Sequence, residues 1–125
     1  MWHGAYVAWL EESRVEALAK VGLDYADLSS RGLEMPVVAL SIDYRQPLRH
    51  GDQVVVFSQV LAFDGVKLPW ASRFVGPDDR VVAVARVELV LVSRPGGLVP
   101  RVVRRYPEDL AHAVARLQAG PETVL

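Results

Sequence analysis

The sequence has 125 residues, the length of one domain; 51% hydrophobic residues suffice for a packed core, and 23% charged residues exclude a mostly disordered chain. Fourteen Lys and Arg against fifteen Asp and Glu leave a formal net charge of −1, so the composition carries neither a nucleic-acid footprint nor a polybasic membrane anchor. Cysteine is absent, which excludes disulfide frameworks, thiolate nucleophiles and cysteine-ligated zinc together.

Residues 5 to 21 have the pattern of a helix. Ala5, Tyr6, Val7, Ala8, Trp9 and Leu10 are apolar all round, which predicts burial on several sides, and Val15, Leu18 and Val21 continue the apolar stripe. Glu11, Glu12, Arg14, Glu16 and Lys20 make the second half polar, with Glu16 and Lys20 at a favourable i,i+4 spacing. Gly22 is a good helix stop. Asp24 then caps a short second helix to about Ser30, ended by Gly32.

After Pro36 the period changes. Val37 to Tyr44 alternates as a strand does, with Val38, Leu40, Ile42 and Tyr44 on one side. Gly51-Asp52 opens a second strand, Gln53 to Phe63, and Asp64-Gly65 is a strong hairpin signal before a third, Val66 to Val75. Pro69 predicts an edge position or a bulge for that third strand. A turn at Gly76-Pro77-Asp78-Asp79 leads into a long valine-rich strand, Arg80 to Ser93, ended by Pro95-Gly96-Gly97. Leu98 to Val103 adds a short extended piece, Pro107-Glu108 starts a last helix to about Gln118, and the tail from Gly120 is expected to fray.

Helices do not alternate with strands, so the fold class is α+β with an antiparallel sheet. The second strand is apolar on both faces: Val54, Val56 and Val60 on one, Val55, Phe57, Leu61 and Phe63 on the other. One helix covers one face, so a second subunit is expected over the other, in an obligate oligomer. Arg86 and Glu88 interrupt the longest apolar run, and Met1-Trp2-His3-Gly4 lacks the charged start of a secretion signal. The expectation is a soluble cytoplasmic domain.

Trp2-His3-Gly4-Ala5-Tyr6-Val7-Ala8-Trp9-Leu10-Glu11-Glu12-Ser13-Arg14 resembles the H-x-x-Y-x-x-(W/F)-x-E-x-x-R opening of the 4-hydroxybenzoyl-CoA thioesterase family of hotdog-fold proteins. Gly22-Leu23-Asp24-Tyr25, Ile42-Asp43-Tyr44-Arg45-Gln46-Pro47, His50-Gly51-Asp52 and the helix start Pro107-Glu108-Asp109-Leu110 continue the match in order along nearly the whole chain. The resemblance implies a long helix wrapped by an antiparallel sheet, with homodimers or homotetramers whose sites lie between subunits. It also implies hydrolysis of acyl-CoA or related aromatic thioesters, without a cofactor. In that family an aspartate lies shortly before the helix, at the end of a first strand, in a pattern like D-x-x-G-x-V-x-H. Here Met1 falls just before the Trp2-His3 pair, so the single domain is expected to lack that strand and its aspartate. A GTG valine codon read as an initiator would produce this methionine.

The resemblance makes His3, Tyr6 and Glu11 the catalytic candidates. His3 and Gly4 stand where unpaired helix N–H groups carry partial positive charge and stabilise a developing oxyanion, and Gly4 allows close approach of a ligand. Tyr6 offers a hydroxyl to a pocket, while Trp9 one turn on is assigned to packing. Glu11 is a base if buried with a raised pKa, but its i,i+3 spacing to Arg14 more often marks a helix-surface or interface pair. Lys67, Arg94, Arg101, Arg104 and Arg105 are candidates for the phosphates of coenzyme A, with Gly4, Lys67, Arg104 and Arg105 forming the substrate-binding set; solvated surface charge is the plainer reading of any one of them. His3, His50 and His112 lack metal-ligand spacing, and Ser13, Ser29, Ser30 and Ser41 lie outside any G-x-S-x-G elbow. Two functions follow: an acyl-CoA thioesterase, or a non-catalytic module binding acyl-CoA or an acyl carrier, which the absent aspartate favours.

Overall fold

The computed structural model of the chain describes residues 3–22, 25–49, 51–94, 99–120 and 123–124. Helix α1 spans His3–Lys20 and buries Tyr6, Leu10, Ser13, Ala17 and Leu18. Steps of four, three and four residues keep the first four on one stripe. The all-round burial expected of its first half is not found: Ala8 is exposed, and Val7 and Trp9 are half-buried, because the sheet of a single chain meets one side of the helix. Gly22 ends α1 at φ +86°, donating its N–H to the Ala19 carbonyl at 3.0 Å. Helix α2 is Tyr25–Ser30; its expected Asp24 cap, His50 and the Pro95–Gly97 terminator lie outside the described residues.

Among the described residues eight strands follow: β1 Leu33–Glu34, β2 Val37–Tyr44, β3 Val55–Val60, β4 Leu68–Val75, β5 Val81–Leu89, β6 Val92–Ser93, β7 Arg101–Val102 and, after helix α3 (Glu108–Ala119), β8 Thr123–Val124. Five form one antiparallel sheet in the order β2-β5-β4-β3-β8. The valine-rich strand runs to Ser93 as expected but changes partners: past Leu89 it leaves the large sheet and, as β6, pairs β1 and β7. The tail does not simply fray, since Val124 and Thr123 pair Phe57 and Ser58 along the outer edge of β3. The result is the expected helix wrapped by an antiparallel sheet, with α3 adding Leu110, Ala113, Val114 and Leu117 to the same core.

The sheet's outer face is more polar than expected. Beside Val55 and Phe57 it carries Ser41, Asp43, Gln59, Arg73, Arg86 and Glu88, and the Arg73 guanidinium lies 4.2 Å from the Phe57 ring centre. Exposed apolar residues also flank α1 and the free edge: Val15, Val37, Val38 and Leu40.

Pro69 was expected at an edge or bulge, yet β4 lies between β5 and β3, and Pro69 pairs Glu88 in register. Its carbonyl accepts the Leu61 N–H at 2.9 Å, the rung just beyond the end of β3. An antiparallel rung of this kind exchanges two bonds, and proline has no N–H to return. The Gln118 side chain of α3 supplies the missing donor, its Nε2 lying 2.8 Å from the Leu61 carbonyl. In return Gln59 Nε2 donates to the last-turn carbonyls of Leu117 and Gln118 at 3.0 and 3.2 Å. Two glutamines thus lock the terminal helix to the sheet.

Inside the core, Ser13 of α1, Ser58 of β3 and Ser72 of β4 form a chain of buried hydroxyls, each Oγ 2.8 Å from the next. At the surface, the Arg31 fork donates to both Asp109 oxygens, at 2.8 and 3.2 Å, tying the turn after α2 to the first turn of α3. Replacing Gln118 with Ala orphans the Leu61 carbonyl and is expected to cost about 1–2 kcal/mol in urea unfolding. In a Pro69→Ala background the strand regains its own donor, so a double-mutant cycle should show that loss shrinking.

Candidate functional site

The register separates two ends of the sheet. At one end Tyr44, Ala83, Phe74 and Val56 lie abreast; at the other, Val37, Leu89 and Leu68 lead to the β3–β4 hairpin. Six residues of β5 separate them, about 20 Å at strand rise.

The first end holds a cavity of about 370 Å³ lined by Tyr6, Tyr44, Arg45, Gln46, Pro47 and Leu48. Tyr6 comes from the first turns of α1, so the start of the helix reaches this cavity. Its ring meets Tyr44, Phe74 and Trp9 edge-on, with centres 5.2, 4.9 and 5.5 Å away. Only 2% exposed, Tyr6 is both core and cavity wall; Trp9 packs, as expected. Burial, and secondarily the neighbouring Tyr44, raise the Tyr6 phenol pKa, so it is a neutral group at physiological pH.

The second end holds a cleft of about 640 Å³ between the hairpin and α3, lined by Phe63, Gly65, Arg104, Arg105, Tyr106, Glu108, Ala111 and His112. Asp64 and Lys67 exchange backbone bonds at 2.9 and 3.0 Å across Gly65-Val66, and Gly65 takes the left-handed φ of +61° the tight turn needs. Tyr106 packs edge-on to Phe63 at 5.1 Å. Its hydroxyl is buried without a hydrogen-bond partner, and burial pushes its pKa up to about 12.

The predicted residues divide between these ends. His3 and Gly4 open α1, and Tyr6 lines the first cavity; the His3 ring lies outside the described side chains. Arg104 and Arg105 line the cleft at the far end, and Lys67 stands on the same hairpin, 3.5 Å from Glu88. Arg94 is paired with Glu34 at 3.2 Å, and Arg101 is exposed on β7. Glu11 joins neither group. It is exposed, not the buried base considered above, and lies eight residues from His3, about 12 Å along the helix. With Arg14, Val7, Leu10, Val37, Leu40 and Val87 it lines a recess of about 140 Å³ on the helix flank.

Sequence reasoning missed Tyr44, Arg45, Gln46 and Leu48 of the first cavity, and Phe63, Tyr106 and His112 of the second. The Tyr44-Arg45-Gln46-Pro47 stretch belongs to a quoted motif and was the available signal; nothing local marks Phe63 and Tyr106 as neighbours. Among the described residues no group of three His, Asp or Glu is placed to hold a metal ion, and no helix is long and apolar enough to cross a membrane.

A long helix seated in a wrapped antiparallel sheet, with a cavity at the start of that helix, defines a hotdog protein of the thioesterase type. The chain belongs to the Thioesterase-like superfamily, whose family model matches residues 1–114. A protein of Synechocystis sp. whose name calls it an esterase is 32% identical over 119 residues, covering 94% of this chain and 70% of that one. The acyl-CoA thioester hydrolase YbgC of Escherichia coli is 24% identical over 112 residues, 86% of this chain and 84% of its own length. The crystal structure of a DHNA-CoA thioesterase from Staphylococcus aureus superposes with a TM-score of 0.79 at 24% identity, over 94% of this chain and 78% of that one.

Two pH predictions follow from the cleft and its supporting bridge. The Arg31 hydrogen bond holds the Asp109 carboxyl below its usual range. A lowered folded-state pKa stabilises the fold above the unfolded value of about 3.9 and is lost as pH falls through the folded value. Asp109→Asn should therefore lower the melting temperature at pH 6 and flatten its decline toward pH 3. Tyr106 has the opposite sense: stability is full below about pH 10 and lost as pH rises toward the folded value. Tyr106→Phe keeps the Phe63 contact and removes an unpaired hydroxyl. Melting scans should show it unchanged or up to about 1 kcal/mol more stable at pH 7, with its alkaline unfolding limb at higher pH.

Proposed function

We propose that this chain hydrolyses acyl-CoA thioesters, with the carbonyl seated against the first turn of α1 and the acyl group in the tyrosine-lined cavity. The observation that carries this reading is the start of an 18-residue helix at a cavity walled by Tyr6 and Tyr44. The unpaired N–H groups of such a terminus stabilise the oxyanion that forms when water attacks the carbonyl. His3 contributes its backbone there, and Gly4 leaves room for the thioester. Burial keeps the Tyr6 phenol protonated and able to donate.

Arg104 and Arg105, with Lys67 nearby, suit the phosphates of coenzyme A, since a guanidinium donates paired hydrogen bonds to a phosphate. They lie at the other end of the sheet from their own helix start, so in this reading one subunit's cationic cleft serves a thioester held by its partner. The free β2 edge and exposed Val15, Val37, Val38 and Leu40 support a homodimer, assembled further as a tetramer, joined along that flank. Glu11 and Arg14 belong to the same flank and are assigned to that interface. A soluble cytoplasmic setting, without nucleic acid or membrane partners, goes with this reading.

One observation favours a second reading. Among the described residues no aspartate or glutamate lines the first cavity, which leaves water without a base and suits a module that binds acyl-CoA or an acyl carrier without cleaving it. Free-thiol release from aromatic, short-chain and long-chain acyl-CoA esters separates the two. It is measured on the 125-residue chain and on a form extended by any in-frame codons upstream of Met1. Turnover is expected in at least one form. Saturable binding with no turnover in either rejects the hydrolase and selects the binding module.

A further inference from the structure

Among the described residues three serines, Ser13, Ser58 and Ser72, are buried, and all three belong to one hydrogen-bonded chain. Ser58 and Ser72 are directly opposed on β3 and β4, so the sheet presents a paired hydroxyl at a fixed point under the helix. Ser13 is the helix residue that meets it.

Burial of apolar surface turns α1 only coarsely. Glu11, Glu12, Glu16 and Lys20 of its second half stay exposed, but Ala5, Tyr6, Val7, Ala8, Trp9 and Leu10 put apolar groups all round its first half, where a small rotation still offers the sheet hydrocarbon. A hydroxyl is different, because leaving it unpaired in a dry interior costs free energy that a bonded one does not. Seven residues along an α-helix return to within about 20° of the same direction, so Ser13 and Tyr6 share a heading. Bonding Ser13 to Ser58 therefore also sets Tyr6 against Phe74 and Tyr44, at the cavity wall.

We propose that this serine chain is a rotational lock on α1, and that Ser13, Ser58 and Ser72 are positioning residues aiming Tyr6 and the first helical turn at the cavity; the catalytic consequence rests on reading that cavity as the thioester site. The chain's asymmetry supplies the test. Ser58→Ala leaves two hydroxyls unpaired and lowers the denaturation midpoint. The triple variant S13A/S58A/S72A leaves none unpaired, so its midpoint should return close to wild type while no buried hydrogen bond fixes the rotation. It should lose near-UV circular dichroism from the Tyr6, Trp9, Tyr44 and Phe74 cluster. Its kcat on acyl-CoA should fall about tenfold or more with KM little changed, the effect of a misaligned reacting group. Ser72→Thr keeps a hydroxyl and should keep both signals.

A folded triple variant with wild-type dichroism and kcat would overturn the lock and leave the serines as a stability contact. If the triple variant does not fold, Ser13→Ala decides in the same way, since it removes the helix's anchor and leaves the Ser58–Ser72 pair. If the wild-type chain releases no thiol from any acyl-CoA, the hydrolase reading fails while the dichroism still judges the lock.

Discussion

One stripe along α1 must stay dry, and the rest of the molecule is arranged to keep it so. Tyr6, Leu10 and Ala17 share one core with residues of β3, β4, β5 and α3 and with Leu28 of α2, and Ser13 is buried on the same stripe. Every strand of the large sheet is antiparallel to its neighbours, so short links suffice and the sheet curls around one rod instead of needing a helix per strand. What the single chain leaves uncovered lies on the other flank of that rod, where Val15 and the β2 edge stand open.

That arrangement divides the chemistry between two ends. The start of α1 and its tyrosine wall sit where β2 ends; the arginines sit where β3 turns into β4. On the proposed reading, a CoA thioester meets the helix terminus with its carbonyl and the arginines with its phosphates. In one chain those features are a sheet's length apart. In the proposed homodimer, opposite ends of two chains come together and a small domain acquires a long site.

Features set by near neighbours were legible in the sequence. The period of α1, its stop at Gly22, the turn at Asp64-Gly65, the long valine strand and the start of α3 at Pro107 each depend on a few adjacent residues. The contacts that failed to show are distant ones. Pro69 read as an edge residue because its compensating donor arrives from Gln118 on another element. The outer sheet face read as apolar because β3, taken alone, hides that its neighbours present Arg73, Arg86 and Glu88. Ser13 looked like an unremarkable polar residue until Ser58, 45 positions away, was placed beneath it. Tyr6 was singled out through a family motif and does line a cavity; Tyr44 stood in another quoted motif without being singled out, and Tyr106 became part of the picture only as a cavity wall.

The rung closed by Gln118 also bears on how the chain folds as it is made. The β3–β4 hairpin, with its tight turn, forms early and locally, but its last rung keeps an unanswered carbonyl until a side chain 57 residues further along arrives. The strands are therefore synthesised well before the helix that completes them, and a nascent sheet without α3 exposes the side of the core that Leu110, Val114 and Leu117 later cover. During translation that interval is the one in which a growing chain is most open to pairing with another copy of itself. Docking of the last helix closes the apolar side and the open rung, and β8, still further along, covers the outer edge of β3.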